Sequence, residues 1–214
     1  MIVPGSIEAF KKYLAQNDTR WAFGNSILYK MCNDYPLHND KDIIVAKIWL
    51  IGRSYAAAIE RRRSHLDYKG DDYYYEMVAP KMLSIGSELD DRLSELNNSR
   101  SIYDNLEKVL STHKFLMDAF FELTGLEKRS LAAKYLHFHC PSKFFIYDSI
   151  AREEIHKFVK KPKIKILQGL SEYDNEYADF GCRLLELQQE LLIYDGVCYS
   201  PRVLDGFLLR RIDI

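Results

Sequence analysis

The residues of this chain best placed to do chemistry are an aspartate and the glycine-centred bend upstream of it. Asp148 follows the apolar run Phe144, Phe145, Ile146 and Tyr147 and opens a helical pattern, so a carboxylate is delivered from an apolar bed. A carboxylate so placed is either a helix cap, which needs only an oxygen acceptor, or a tool at a reacting bond, which needs the negative charge. Gly125 separates two helical patterns and is followed by Leu126, Glu127, Lys128, Arg129 and Ser130. Arg53 and Tyr55 read in two ways: a pair projecting into a cleft, or an arginine satisfying nearby carboxylates beside a packed tyrosine. Lys157, Lys160, Lys161, Lys163 and Lys165 form the strongest local run of positive charge, either a nucleic-acid contact or a solvated connector around Pro162. His137, His139 and Cys140 suggest a metal, but helical residues two apart diverge by more than a right angle, which argues against one shared ion.

The order Leu123, Thr124, Gly125, Leu126, Glu127, Lys128, Arg129, Ser130, with Asp148 nineteen residues after Arg129, resembles the helix-hairpin-helix motif and following aspartate of the DNA glycosylase superfamily. The likeness is closest to the 8-oxoguanine branch and covers about thirty residues. Thr124 stands where that motif has proline, Glu127 where it has its second glycine, and Arg129 at the lysine position. The resemblance implies an all-α, multi-helix glycosylase-like fold with the hairpin beside a central cleft. It implies that Asp148 is the catalytic carboxylate, with Lys128 and Arg129 at or beside the lysine position. Gly125, Leu126, Glu127, Lys128 and Ser130 would clamp a DNA backbone phosphate, and Lys160, Lys161, Lys163 and Arg53 would add contacts.

The implied function is a DNA glycosylase-like protein of base-excision repair, binding or excising a damaged or modified base from a flipped nucleotide. Such an enzyme is a hydrolase of N-glycosyl bonds and needs no cofactor and no metal. Arg129 makes it monofunctional, because a guanidinium stays protonated and forms no Schiff base, unless Lys128 or Lys134 substitutes. Glu127 would oppose a phosphate unless Lys128 or Arg129 neutralises it. The alternative is a non-catalytic helix-hairpin-helix module binding nucleic acid or a protein, including an accessory role in anti-phage defence, where divergent bacterial proteins of this look occur.

The elements that must position these residues are helical. Ile7, Phe10 and Leu14 predict an entry helix over 6–16, and a second covers 21–35, ending before Pro36. Asp40 or Asp42 caps a long segment over 42–63, apolar on nearly every face from Ile43 to Ile51 and ending in Arg61, Arg62 and Arg63 as a solvated helix end. Tyr73, Tyr74 and Tyr75 point three ways on a helix, which favours packing over a shared stacking site. Pro80 and Gly86 predict two short helices or one kinked one up to Asn98. Ser101 and Asp104 cap a helix over 102–123 that leads into the Gly125 bend, and further helices cover 148–159, 171–194 and the stretch after Pro201. The expected organisation is one all-α unit, open to division into two lobes: central and supporting helices over 40–100, the hairpin and aspartate over 102–159, and C-terminal helices over 171–214.

Composition sets the outer bounds. With 47% hydrophobic residues the chain can bury one large core or two small ones around a cleft, which argues against disorder. A formal charge of -1 counts against a dedicated duplex binder and confines any nucleic-acid surface to a local patch. Four scattered cysteines without a CxxC pair give neither a zinc ribbon, an iron-sulfur site nor a disulfide framework. The absence of a secretory or bilayer-length apolar run completes the expectation of a cytoplasmic protein that contacts no membrane.

Overall fold

Capping and burial divide the chain into α1 (Ser6–Ala15), α2 (Ala22–Asp34), α3 (Lys41–Ser54), α4 (Ala79–Asn98), α5 (Leu106–Thr124), α6 (Arg129–His139), α7 (Ser149–Phe158), α8 (Asn175–Asp195) and α9 (Pro201–Leu209). The computed structural model describes residues 2–16, 19–62, 72–163 and 172–212. All named elements among them are helical, and one isolated bridge pairs Ile2 with Val159. The protein is all-α, and no helix among the described residues is long and apolar enough to cross a membrane. Lys165 and Arg63 lie outside the described residues.

The helices form two compact units. One spans Trp21–Phe144; the other combines Met1–Arg20 with Phe145–Ile214. The 102–159 segment therefore contributes its hairpin to the first unit and Asp148 to the second.

In the first unit α3 packs on α2, α4 and α6, and α5 packs on α4 and α6. Asp40 accepts the Ile43 amide at 3.0 Å, and Ile44, Ile48 and Ile51 form the fully buried stripe of α3. Tyr73 and Tyr74 are buried, while Tyr75 is exposed. Tyr73 donates its hydroxyl to the Leu123 carbonyl at 3.2 Å, satisfying an acceptor in the last turn of α5 that the helix cannot.

This core also contains a polar centre that hydropathy does not reveal. Asp90 accepts from the His38 amide at 3.0 Å and from His38 Nδ1 at 2.5 Å. Nδ1 therefore carries the proton, Nε2 is an acceptor, and the Tyr135 hydroxyl donates to it at 2.7 Å. Burial holds the His38 pKa below its ordinary value, with Asp90 opposing. Lys47 is fully buried, donates to the Leu37 carbonyl at 3.1 Å, and is lowered by burial to about 8.

Three elements differ from the sequence expectation. Helix α3 stops at Ser54 rather than near 63, because Ala56 adopts φ 52 and closes a Schellman turn: Ala57 donates to the Gly52 carbonyl at 2.7 Å and Ala56 to Arg53 at 3.3 Å. Arg61 and Arg62 consequently sit in a turn beyond the helix, not at its end. Helix α4 runs unbroken through Gly86; the interruption falls at Pro80 instead, where a π-helical turn, Tyr74–Val78, passes into α4 with the proline in its first turn. Ser101 accepts from the Tyr103 amide at 3.0 Å to begin a 3₁₀ turn, Tyr103–Asn105, so α5 begins only at Leu106.

In the second unit α7 packs on α8 and α9. Phe10 of α1 and Phe158 of α7 both meet Phe207, with centroids 5.1 Å and 4.6 Å away. Asp174 caps α8 by accepting the Tyr177 amide at 2.7 Å.

Candidate functional site

The bend after α5 is built as its sequence requires. Gly125 has φ 67, a left-handed conformation that a side chain would strain, and its amide closes the helix on the Phe121 carbonyl at 2.7 Å. Thr124, where the resembled motif has proline, stabilises the bend differently: its hydroxyl donates to Phe120 at 2.8 Å and accepts from the Leu126 amide at 3.2 Å. Helix α6 then starts at Arg129 with Lys128 at its N-cap position, and no side chain from that position caps it. Its first amides thus have no acceptor within the helix, and the dipole makes this end electropositive.

A hollow of about 260 Å³ opens at this helix start. Ala56, Ala57 and Ala58 form one side; Ser130 and Leu131 form another, and Arg61, Arg62, Glu127 and Lys128 supply the charges. Gly52 permits the alanine segment to fold back closely, since a Cβ there would lie 3.1 Å from the Ala58 backbone. Glu60 anchors the segment from its far end by accepting from Arg53 at 2.6 Å and from the Tyr74 hydroxyl.

The charge balance of the hollow is positive. Arg129 pairs with Glu127 at 2.9 Å, so the acid standing at the resembled motif's second glycine is neutralised by its neighbour. Lys128 donates to the Arg61 carbonyl at 2.5 Å. Burial lowers the Lys128 pKa; Glu60 opposes that, and the positive charges of Arg61 and Arg62 add to the lowering. An anion in the hollow would favour the charged lysine, so anion affinity is fully present below the Lys128 pKa and lost as pH rises through it. Oligonucleotide titrations across alkaline pH should show this loss beginning below the range of an ordinary lysine. Lys128→Arg should bind without that pH dependence; the same dependence in Lys128→Arg would show that another group titrates.

The remaining sequence candidates fall elsewhere. Arg53 does not line the hollow: it pairs with Glu60 and lies 5.4 Å from the Trp49 ring. Lys134 is buried, donates to the Tyr55 carbonyl at 3.2 Å and faces the Tyr55 ring at 5.8 Å. His137 donates from Nδ1 to the Phe144 carbonyl at 2.8 Å, so its Nε2 accepts the Tyr29 hydroxyl at 2.5 Å. That ring and the half-buried His139, whose ring packs against His38 and Tyr135, belong to helix packing. Among the described residues no group of three or more ligating side chains could hold a metal.

In the other unit, Asp148 is extended, half-buried and caps α7, accepting the Ala151 amide at 2.8 Å. The basic segment nearby has spent part of its charge: Lys157 pairs with Glu154 at 2.8 Å and Lys163 with Glu190 at 3.0 Å. Lys160 and Lys161 are exposed, and the Lys160 carbonyl accepts from Arg183 at 2.7 Å.

Sequence reading found the hairpin side of the hollow but not Arg61, Arg62 or the alanines opposite. The available signal was Gly52, with three alanines beginning four residues later, which can mark a chain folding back on its own helix. Comparison with protein-family models, with curated proteins and with solved structures gave no match for this chain.

Proposed function

We propose that this chain is a nucleic-acid-binding protein of the helix-hairpin-helix glycosylase type, holding a backbone phosphate in the hollow at the start of α6. The observation that carries the reading is the joining of three cations, Arg61, Arg62 and Lys128, to the electropositive start of α6 in one concave site. Helix amides and guanidinium groups suit a phosphate better than a carboxylate-bearing peptide, because several donors can converge on its oxygens. Glycosylase chemistry is assigned through Asp148, whose position nineteen residues after Arg129 carries the resemblance. A fixed carboxylate would stabilise the positive charge that the sugar acquires as its base departs. Arg129, committed to Glu127, makes the proposed enzyme monofunctional.

The test is binding of a labelled lesion-bearing DNA as salt is varied. Replacing Arg61, Arg62 and Lys128 together with glutamine should weaken binding by about tenfold or more, since one charge-assisted hydrogen bond contributes roughly 1.5–3 kcal/mol. The logarithmic salt slope should fall by about one for each phosphate that no longer meets a cation. A binding curve and salt slope equal to those of the unaltered protein would remove the hollow from the interface.

A further inference from the structure

The chain between α2 and α3 is fastened to the first unit by side chains that titrate. Lys47 of α3 holds the Leu37 carbonyl, Asp90 of α4 holds the amide and ring of His38, and Tyr135 of α6 holds the far ring nitrogen. His139, one turn after Tyr135, completes the cluster. Its ring centroid lies 4.8 Å from that of His38, with 32° between the planes, and 4.8 Å from that of Tyr135. Two imidazoles are therefore packed on one another beside a buried lysine.

Both rings are built to be neutral. His38 accepts the Tyr135 hydroxyl at Nε2, so an imidazolium would put a second proton there and the hydroxyl would have to turn its own away. His139 Nε2 is buried and meets no hydrogen-bond partner among the described residues. A neutral ring can leave that nitrogen bare and carry its proton on Nδ1. A charged ring must place an N–H there with nothing to accept it, which is costly in a buried position.

The surrounding groups do not relieve this. Burial, then the positive charges of His38 and Lys47, hold His139 well below its ordinary pKa; burial also lowers His38, with Asp90 opposing and Lys47 adding to the effect. From α2 the neighbouring group is the Cys32 thiol, which burial pushes up to about 12 and so keeps neutral. Two further histidines on these helices face other partners. His137 turns to Tyr29 and the Phe144 carbonyl, and His113 of α5 meets the Arg129 carbonyl at the other end of α6.

We propose that His38 and His139 form an acid-operated latch, closed while both rings are neutral, which frees the segment before α3 from the C-terminal turn of α6 when they take up protons. The latch secures the end of the helix whose first turn lines the hollow. With folded pKa values below the ordinary histidine value of about 6.5, each ring contributes stability that is full above that pH and lost as pH falls through the folded value. Lys47, at about 8, is charged throughout the acidic range and adds no slope there.

Urea unfolding at a series of pH values tests this, followed by tryptophan fluorescence, because both tryptophans, Trp21 and Trp49, lie in the first unit. Between about pH 7 and about pH 5.5 each latched histidine should raise the unfolding constant roughly tenfold. His139→Phe keeps a stacked ring without the titration and should remove one such factor; His139→Gln should do the same if phenylalanine packs poorly. Amide exchange over residues 36–40, corrected for its intrinsic dependence on pH, should quicken on acidification in the unaltered protein and less so in either variant. An acid loss of stability equal in the unaltered protein and both variants would overturn the latch. So would ring-proton NMR spectra, which need no variant, in which His38 or His139 of the folded protein titrates as an ordinary histidine does.

Discussion

Asp148→Asn should reduce base release by about 100- to 1,000-fold while leaving the melting temperature nearly unchanged. The structure makes this substitution discriminating, because Asp148 caps α7 through an acceptor oxygen that asparagine also supplies. Asparagine and aspartate are comparable caps, so the fold retains its hydrogen bond to Ala151 while the negative charge disappears. Removing a fixed electrostatic partner of a charged transition state costs about 100- to 1,000-fold in rate. Asp148→Ala separates the two roles: it removes both charge and cap, and should lower stability by about 1 kcal/mol in addition to abolishing activity. Base release would be measured across a panel of lesion-bearing oligonucleotides, with thermal unfolding in parallel. Full activity in Asp148→Asn would leave the residue a cap and the protein a binding module.

The largest effect on folding is expected at Gly86. A Cβ built there would stand 2.4 Å from the His38 carbonyl oxygen and 3.2 Å from the His38 Cβ. His38 cannot move aside cheaply, since Asp90 holds both its amide and its ring while Tyr135 holds the far nitrogen. Alanine would gain about 0.8–1 kcal/mol in helix propensity. Overpacking a fixed backbone costs about 1–3 kcal/mol, and here it would break into buried polar bonds as well. Gly86→Ala should therefore be destabilising by about 2 kcal/mol, a loss of roughly 4–8 °C in melting temperature for a chain of this size. A melting temperature equal to or above that of the unaltered protein would show that the His38 segment has room to retreat.

The helices were legible where local chemistry ends them. Pro36, Asp40, the Gly125 bend, Asp148 and Ser200 with Pro201 each act within a few residues, and their elements form at those places. Helix α3 was misread because an alanine occupies the left-handed position that glycine usually fills; Ala56 looks helical in sequence and ends the helix in fact. Gly86 suggested a break because its reason for being glycine is the backbone of His38, a contact across nearly fifty residues. A still longer separation hid half of the hollow, whose walls come from 56–62 and 127–131. The basic run misled because its acidic partners stand outside it: no acid lies between Lys157 and Lys163, yet Glu154 and Glu190 meet them in the fold. Glu154 is only three residues from Lys157, whereas Glu190 arrives from a different helix.

The unit formed from both ends of the chain has a consequence for the order of assembly. As the polypeptide emerges from the ribosome, Phe10 must wait for Phe158 and Phe207 before its ring has a home, while Trp21–Phe144 can close on itself during elongation. Helix α1 can therefore dock only once the segments that carry its partners have formed. The width of that loop adds little to the cost of closing it, about 0.6 kcal/mol for each doubling of its length.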